Sequence, residues 1–353
     1  MPRFSLASLS LLLLSVRTAL AEPTNCTGPY GNSTVGLNDA AKAAGKVYFG
    51  TATDTNEFGD YGYVTILNDT SIFGQFTPGN SLKWMYAEPE QGVFNFTGGD
   101  EVYAMAYETG KIMRGHNLVW YSELPTWVTD ATWDATNLTT TIQSHVTGEV
   151  SHYTGKLYAW DVVNEPLNDN GTFRSDVFYD TLGSSYISIA LNAARAADPN
   201  VKLYINEYNL EYSGPKIDAM VQLVKDLQAE GTPIDGIGFE SHFILGEINA
   251  QEFQWNMQNI TALGLEVAIT ELDDRIELPA TAADLYQQQQ EYQEIVGVCM
   301  AVEGCVGVTV WDYTDYYSWI PSTFAGYGAA SPYNECLEKK PAYDGIAAAF
   351  TST

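Results

Sequence analysis

Short runs of apolar and β-branched residues recur along this chain, and the stretches between them have helical character. Eight runs read as strands: Val47–Thr53, Ser81–Tyr86, Ile112–Trp120, Leu157–Glu165, Lys202–Asn209, Gly236–Phe243, Glu266–Asp273 and Gly307–Tyr313. Helical patterns are clearest at Val177–Ala197, Pro215–Glu230, Ala250–Leu263 and Ala282–Val302. Pro215 follows Ser213-Gly214, a start signal, because a proline in the first turn gives up an N–H that has no helical partner there anyway. Strand and helix alternate throughout, so the strands are expected to run parallel. Eight βα units over about 300 residues predict an α/β fold, a closed (β/α)8 TIM barrel. No Pro/Ser/Thr-rich linker divides the chain, which predicts a single catalytic domain over residues 22–353.

The predicted strands begin apolar and end polar or aromatic: His116 to Trp120, Asn164-Glu165, Asn206 to Asn209, Glu240-Ser241-His242, Glu271 with Asp273, and Trp311-Asp312. Packing gives a buried parallel strand no reason to finish in a carboxylate. In a barrel of this kind the C-terminal strand ends build the active site. The pattern therefore describes a cleft lined with carboxyls, amides and aromatics. Two of its carboxyls, Glu165 at the end of the fourth predicted strand and Glu271 near the end of the seventh, can face one another across the barrel mouth. Glycoside hydrolysis needs such a pair, one protonated to help the leaving oxygen depart and one ionised.

Composition narrows the substrate. The 353 residues carry 44 acidic and 16 basic side chains, a formal net charge of −28. The acidic residues are scattered, so they form a solvated surface that repels nucleic acid and anionic lipid. Neither a nucleic-acid nor a membrane partner is expected. The 23 Tyr and 8 Trp suit both a large core and a sugar-stacking cleft. At the N-terminus, Arg3, the apolar stretch from Leu6 to Val16 and Ala19-Leu20-Ala21 read as a signal peptide over residues 1–21, implying secretion. Asn25, Asn32, Asn68, Asn95, Asn137, Asn170 and Asn259 each begin an Asn-x-Ser/Thr triplet and are candidate N-glycosylation sites. The four cysteines, Cys26, Cys299, Cys305 and Cys336, suggest two disulfides. Pairing Cys299 with Cys305 leaves Cys26 and Cys336 to join the chain ends, one of three possible pairings. No CxxC or HExxH spacing is present and only four His exist, so neither a metal nor a cofactor is expected.

Trp160-Asp161-Val162-Val163-Asn164-Glu165 and Ile269-Thr270-Glu271-Leu272-Asp273 resemble the two glutamate motifs of glycoside hydrolase family 10, known chiefly for endo-β-1,4-xylanases. The likeness continues in Tyr48 to Thr53, Lys83-Trp84, Glu88-Pro89, Arg114-Gly115-His116, Leu118-Val119-Trp120, Asp235 to Gly238, Ser241-His242, Trp311 to Trp319 and Pro341-Ala342-Tyr343, in order along the chain. It implies a retaining hydrolase with Glu165 as acid/base and Glu271 as nucleophile. It further implies that Asn164 binds the sugar 2-hydroxyl, that His242 lies against Glu271, that Asn80, Lys83, His116 and Trp120 line the glycone side with Glu240 near the nucleophile, and that Trp311 and Trp319 cap the reacting sugar. Trp84 reads as packing.

The chain departs from the family pattern on the glycone side. Gly79-Asn80 stands for Glu-Asn, Tyr121-Ser122-Glu123 for His-Ser-Gln, Glu240 for Gln in Ser-Gln-Ser-His, and Glu207 for Asp in Asn-Asp-Tyr-Asn. Gly79 opens space, while Glu123 and Glu240, when ionised, only accept hydrogen bonds. A third carboxyl at Glu240 is also expected to raise the pKa of Glu271. Two substrates stay open on these residues: β-1,4-xylan, and the plant saponin α-tomatine, from which tomatinase-like members remove the tetrasaccharide. A monomeric enzyme acting on an oligosaccharide, polysaccharide or plant glycoside is expected. The reading from a different class, an inactive carbohydrate-binding barrel, sits poorly with both glutamates standing beside Asn164 and His242.

Overall fold

The computed structural model describes residues 26–352. The predicted signal peptide and Asn25 lie outside them. Ten strands form in chain order: β1 (Tyr48–Thr53), β2 (Gln75–Pro78), β3 (Ile112–Trp120), β4 (Ala159–Asn164), β5 (Lys202–Glu207), β6 (Gly236–Phe239), β7 (His242–Ile244), β8 (Glu266–Glu277), β9 (Cys305–Val310) and β10 (Tyr327–Gly328). Eight of them, β1 to β6 with β8 and β9, pair in parallel, and β9 returns to β1 to close the barrel. Helices between successive strands cover its outside. The short β7 extends the path beyond β6 and pairs with the far end of β8, and β10 pairs antiparallel with the same strand.

One predicted strand is wrong. The second barrel strand is β2, Gln75–Pro78, whereas the expected strand at Ser81–Tyr86 is a loop leading into a short helix, Trp84–Ala87. The β-rich run Gln75-Phe76-Thr77 is short and ends in proline, so it was masked by the longer apolar run after it. Trp84 is buried and its ring stacks on His145 at 3.7 Å, a packing role. The long helix predicted at Val177–Ala197 is two, Val177–Leu182 and Ser185–Ala197, broken at Gly183, whose φ of 60° is left-handed.

Inside the barrel Arg114 and Asp161 form a fully buried ion pair at 2.5 Å, and the guanidinium also lies 4.4 Å from the Tyr204 ring centroid. Gly115, next along β3, has no alternative: a Cβ there would sit 2.2 Å from the Trp160 ring. Burial disfavours both charges, but each holds its partner ionised, and Arg114 with His116 keeps the Asp161 carboxyl below its ordinary value. Removing one partner strands the other charge in the interior. Arg114→Ala is therefore expected to cost about 3–5 kcal/mol, read as a drop in the urea midpoint at unchanged slope.

Both disulfides form as Cys26–Cys336 and Cys299–Cys305. The first links residues 310 apart and the second residues only six apart. A longer loop loses more freedom when closed, so the two bonds are expected to differ. Cys26→Ser should lower stability by about 5–6 kcal/mol and Cys299→Ser by about 2 kcal/mol on chain-entropy grounds, measured by denaturant unfolding without reductant.

Candidate active site

All the predicted site residues line one cleft of about 780 Å³ at the C-terminal mouth of the barrel. They reach it from the C-terminal parts of several strands and from the loops that follow. Asn80 and Lys83 come from the turn after β2, His116 and Trp120 from β3, Asn164 and Glu165 from the end of β4. Glu240 follows β6, His242 opens β7, Glu271 sits within β8, and Trp311 and Trp319 follow β9.

The backbone departs from regular geometry where these side chains project. Glu165 is one residue past β4 and has φ of 51°, and Ser241, between Glu240 and His242, has φ of 65°. Left-handed backbone at a non-glycine residue costs on the order of 1–3 kcal/mol and persists when its surroundings over-determine it. The pairing of β8 with β9 shifts register between Ile269 and Leu272, and this irregularity re-aims Glu271 into the mouth.

Asn206 on β5 ties the carboxyls together. Its Nδ2 donates to Glu271 Oε1 at 2.8 Å, lies 2.9 Å from Asn164 Oδ1 and 3.2 Å from Glu240 Oε1, and its Oδ1 accepts from Thr270 at 2.6 Å. Gly238 on β6 makes this possible, because a Cβ there would meet Asn206 Oδ1 at 2.1 Å. Asn164 Nδ2 in turn donates to Glu165 Oε1 at 3.2 Å.

The two glutamates have opposite electrostatic settings. Burial, then the negative Glu271, push the Glu165 carboxyl above its ordinary value. Burial would also raise Glu271, but the hydrogen bond from His242 and the charges of His116 and His242 outweigh it and hold Glu271 below its ordinary value. His242 Nε2 lies 3.4 Å from Glu271 Oε2, while Nδ1 lies 2.9 Å from Asp273. Burial works against a charge on His242, yet Asp273 and Glu271 prevail and its pKa is pushed up to about 10. His116 lies 3.1 Å from Asp161, so both imidazoles stand between Glu271 and a second carboxylate.

The expectation that Glu240 would raise Glu271 is overturned. Glu240 itself is pushed well above the ordinary range, by burial first and then by Glu271, Glu165, Glu207 and Glu211. His242 stands closer to Glu271, at 3.4 Å, than to Glu240, at 3.7 Å. Burial and the neighbouring carboxyls thus favour the protonated form of Glu240, whose O–H can donate as an amide would. Nor is Glu123 a bare acceptor: Lys83 donates to it at 2.7 Å and to Asn80 at 3.0 Å.

A model of Glycosyl hydrolase family 10 matches residues 36–349. The chain belongs to glycosyl hydrolase family 10. Among family-10 relatives it is 56% identical over 321 residues to endo-1,4-beta-xylanase C of Phanerodontia chrysosporium, covering 91% of this chain and 80% of that one. Identity to the endo-1,4-beta-xylanase of Agaricus bisporus is 53% over 310 residues, 88% and 93% of the two chains. The crystal structure of a family-10 xylanase from Bispora sp. MEY-1 with xylobiose superposes with a TM-score of 0.87 at 46% identity, covering 89% of this chain and 99% of that one.

Within this family-10 cleft, sequence reasoning overlooked four contributors. Asn206 was visible only as one polar residue at a strand end. Arg174 donates from Nε to the Glu165 carbonyl at 3.0 Å and from Nη2 to the Tyr208 hydroxyl at 2.8 Å, and lies 4.2 Å from the Tyr121 ring centroid. It sits in a loop with no motif around it. Asp273 was noticed as polar but not as the partner of His242 and of the Trp319 indole, which donates to it at 2.8 Å. Glu57 lines the cleft beside Thr53 and Asp312. Its carboxyl is raised to about 7, by burial most of all.

Proposed function

We propose that this chain is a secreted endo-1,4-β-xylanase that cleaves with retention of configuration, as a single catalytic domain and a monomer without cofactor. The reading rests above all on the opposite electrostatic settings of Glu165 and Glu271 in one cleft: one carboxyl pushed up toward its protonated form and one held down toward its ionised form match the two roles the reaction needs. Glu271 attacks the anomeric carbon while Glu165 gives its proton to the departing oxygen. The glycosyl–Glu271 ester removes a negative charge beside Glu165, whose pKa falls, and Glu165 then takes a proton from the incoming water. Asn164 and Glu240 present donors to sugar hydroxyls near the cleavage point. Asn80, Lys83, His116 and Trp120 form the glycone wall, and Trp311 and Trp319 stand over the reacting sugar. The named activities of the relatives favour xylan as the polymer.

Glycans fit on Asn32, Asn95, Asn137, Asn170 and Asn259, which are exposed; Asn68 is half-buried with its side-chain oxygen enclosed, and is the least suited. No helix among the described residues is long and apolar enough to cross a membrane.

The deciding experiment incubates the protein with β-1,4-xylan and with α-tomatine in parallel and identifies the products. Xylo-oligosaccharides released with retained anomeric configuration support the proposal. Release of an intact tetrasaccharide from α-tomatine, with xylan untouched, overturns the substrate; inverted product overturns Glu271 as nucleophile.

A further inference from the structure

We infer that the floor of the cleft is a binding site for a borderline transition-metal ion, represented by Zn²⁺, held by Glu240, His242 and Glu271. Three donor atoms converge there. His242 Nε2 lies 3.4 Å from Glu271 Oε2 and 3.7 Å from Glu240 Oε2, and donor atoms of the three residues all fall within 4.8 Å of one another. Ligands at Zn–N and Zn–O bonds of about 2.0–2.2 Å in a tetrahedron stand about 3.3–3.5 Å apart, so both distances from His242 already lie within a few tenths of an ångström of those an ion would set.

The surroundings are arranged as a metal site requires. Asn206 holds the Oε1 atoms of both Glu240 and Glu271, which leaves the two Oε2 atoms turned toward His242. Glu240 Oε2 has no hydrogen-bond partner among the described residues, although its side chain is only 4% exposed. Asp273 holds the other imidazole nitrogen, Nδ1, at 2.9 Å, and the Trp319 indole donates to that same Asp273 oxygen, giving the carboxylate–histidine arrangement that orients a metal-ligating imidazole. All three ligands open onto the cleft, so an ion can arrive from solvent and keep a fourth position for water. In a chain of net charge −28 the local field favours a cation. Coordination displaces to solvent the proton on His242 Nε2 and any proton on Glu240.

An ion here takes an oxygen of Glu271, so it switches off hydrolysis. That consequence rests on Glu271 being the nucleophile; binding itself does not. Calorimetric titration of the folded enzyme with ZnCl2 at pH 7, without substrate, is expected to show one dominant site. Glu240→Gln, nearly isosteric and checked for folding by circular dichroism, should weaken it at least tenfold. His152→Ala, which removes the surface His152–Asp100 pair at 2.7 Å, should leave it unchanged. Zinc-edge absorption should report one imidazole and carboxylate oxygens. Equal affinity in Glu240→Gln, loss of binding in His152→Ala, or a shell without imidazole would each overturn the site. Because binding is read without substrate, a protein inert on xylan still tests it. Zinc that binds with these ligands but leaves turnover untouched would instead count against Glu271 as nucleophile.

Discussion

Glu271→Ala is expected to lower kcat on xylan on the order of 10⁴-fold or more, with part of the turnover of an activated aryl glycoside restored by added azide. In the proposed mechanism the side chain contributes the bond-forming atom itself, and groups that act as a unit in catalysis typically cost this much when removed. Azide can occupy the space the carboxylate leaves and attack from the same face, which gives a glycosyl azide of inverted configuration. Product analysis by NMR checks this. A variant retaining more than about a tenth of wild-type kcat would refute the nucleophile assignment, since general acid–base help alone supplies about 10²–10⁴-fold.

The second large effect belongs to Glu165. Glu165→Gln keeps the size and one donor but cannot hand over a proton. Against xylan, whose leaving group is a poor one, kcat is expected to fall about 10²–10⁴-fold. Against an aryl glycoside with an acidic leaving group the first step needs no proton, so only breakdown of the glycosyl–enzyme is slowed. KM should fall together with kcat, and a burst of phenol should precede the steady state. The pH profile supplies the complementary test. In the wild type kcat/KM should fall on the acid side as Glu271, held low, becomes protonated, and on the alkaline side as Glu165, held high, loses its proton. Glu165→Gln should remove the alkaline limb and leave the acid limb in place. Loss of the acid limb instead would interchange the two roles.

How much of this was readable in the chain depends on how local each signal is. Seven barrel strands were visible because buried parallel strands are written as continuous apolar runs. β2 was not, because four residues ending in Pro78 are too few to stand out beside Ser81–Tyr86. The paired carboxyls of the cleft were legible because Glu165 and Glu271 interrupt apolar runs where packing offers no reason for a carboxylate. Asn206 and Arg174 are different. Their importance comes from hydrogen bonds to residues 65 and nine positions away, and no periodicity records such partners. Charge state was the least legible of all. Glu240 looked like an added anion in the sequence, and only the burial and carboxyls around it push its pKa upward.

Asp161 divides its carboxylate between two tasks, one oxygen on Arg114 inside the barrel and the other 3.1 Å from His116 at the mouth. The scaffold and the chemistry therefore share an atom group, and neither can be retuned alone. A substitution that relaxed the buried Arg114–Asp161 pair would also disturb the carboxylate that positions His116 beside Glu271. Laboratory evolution for heat tolerance should accordingly leave this stave of the barrel untouched and accumulate its changes on the outer helices, where gains in stability carry no kinetic penalty.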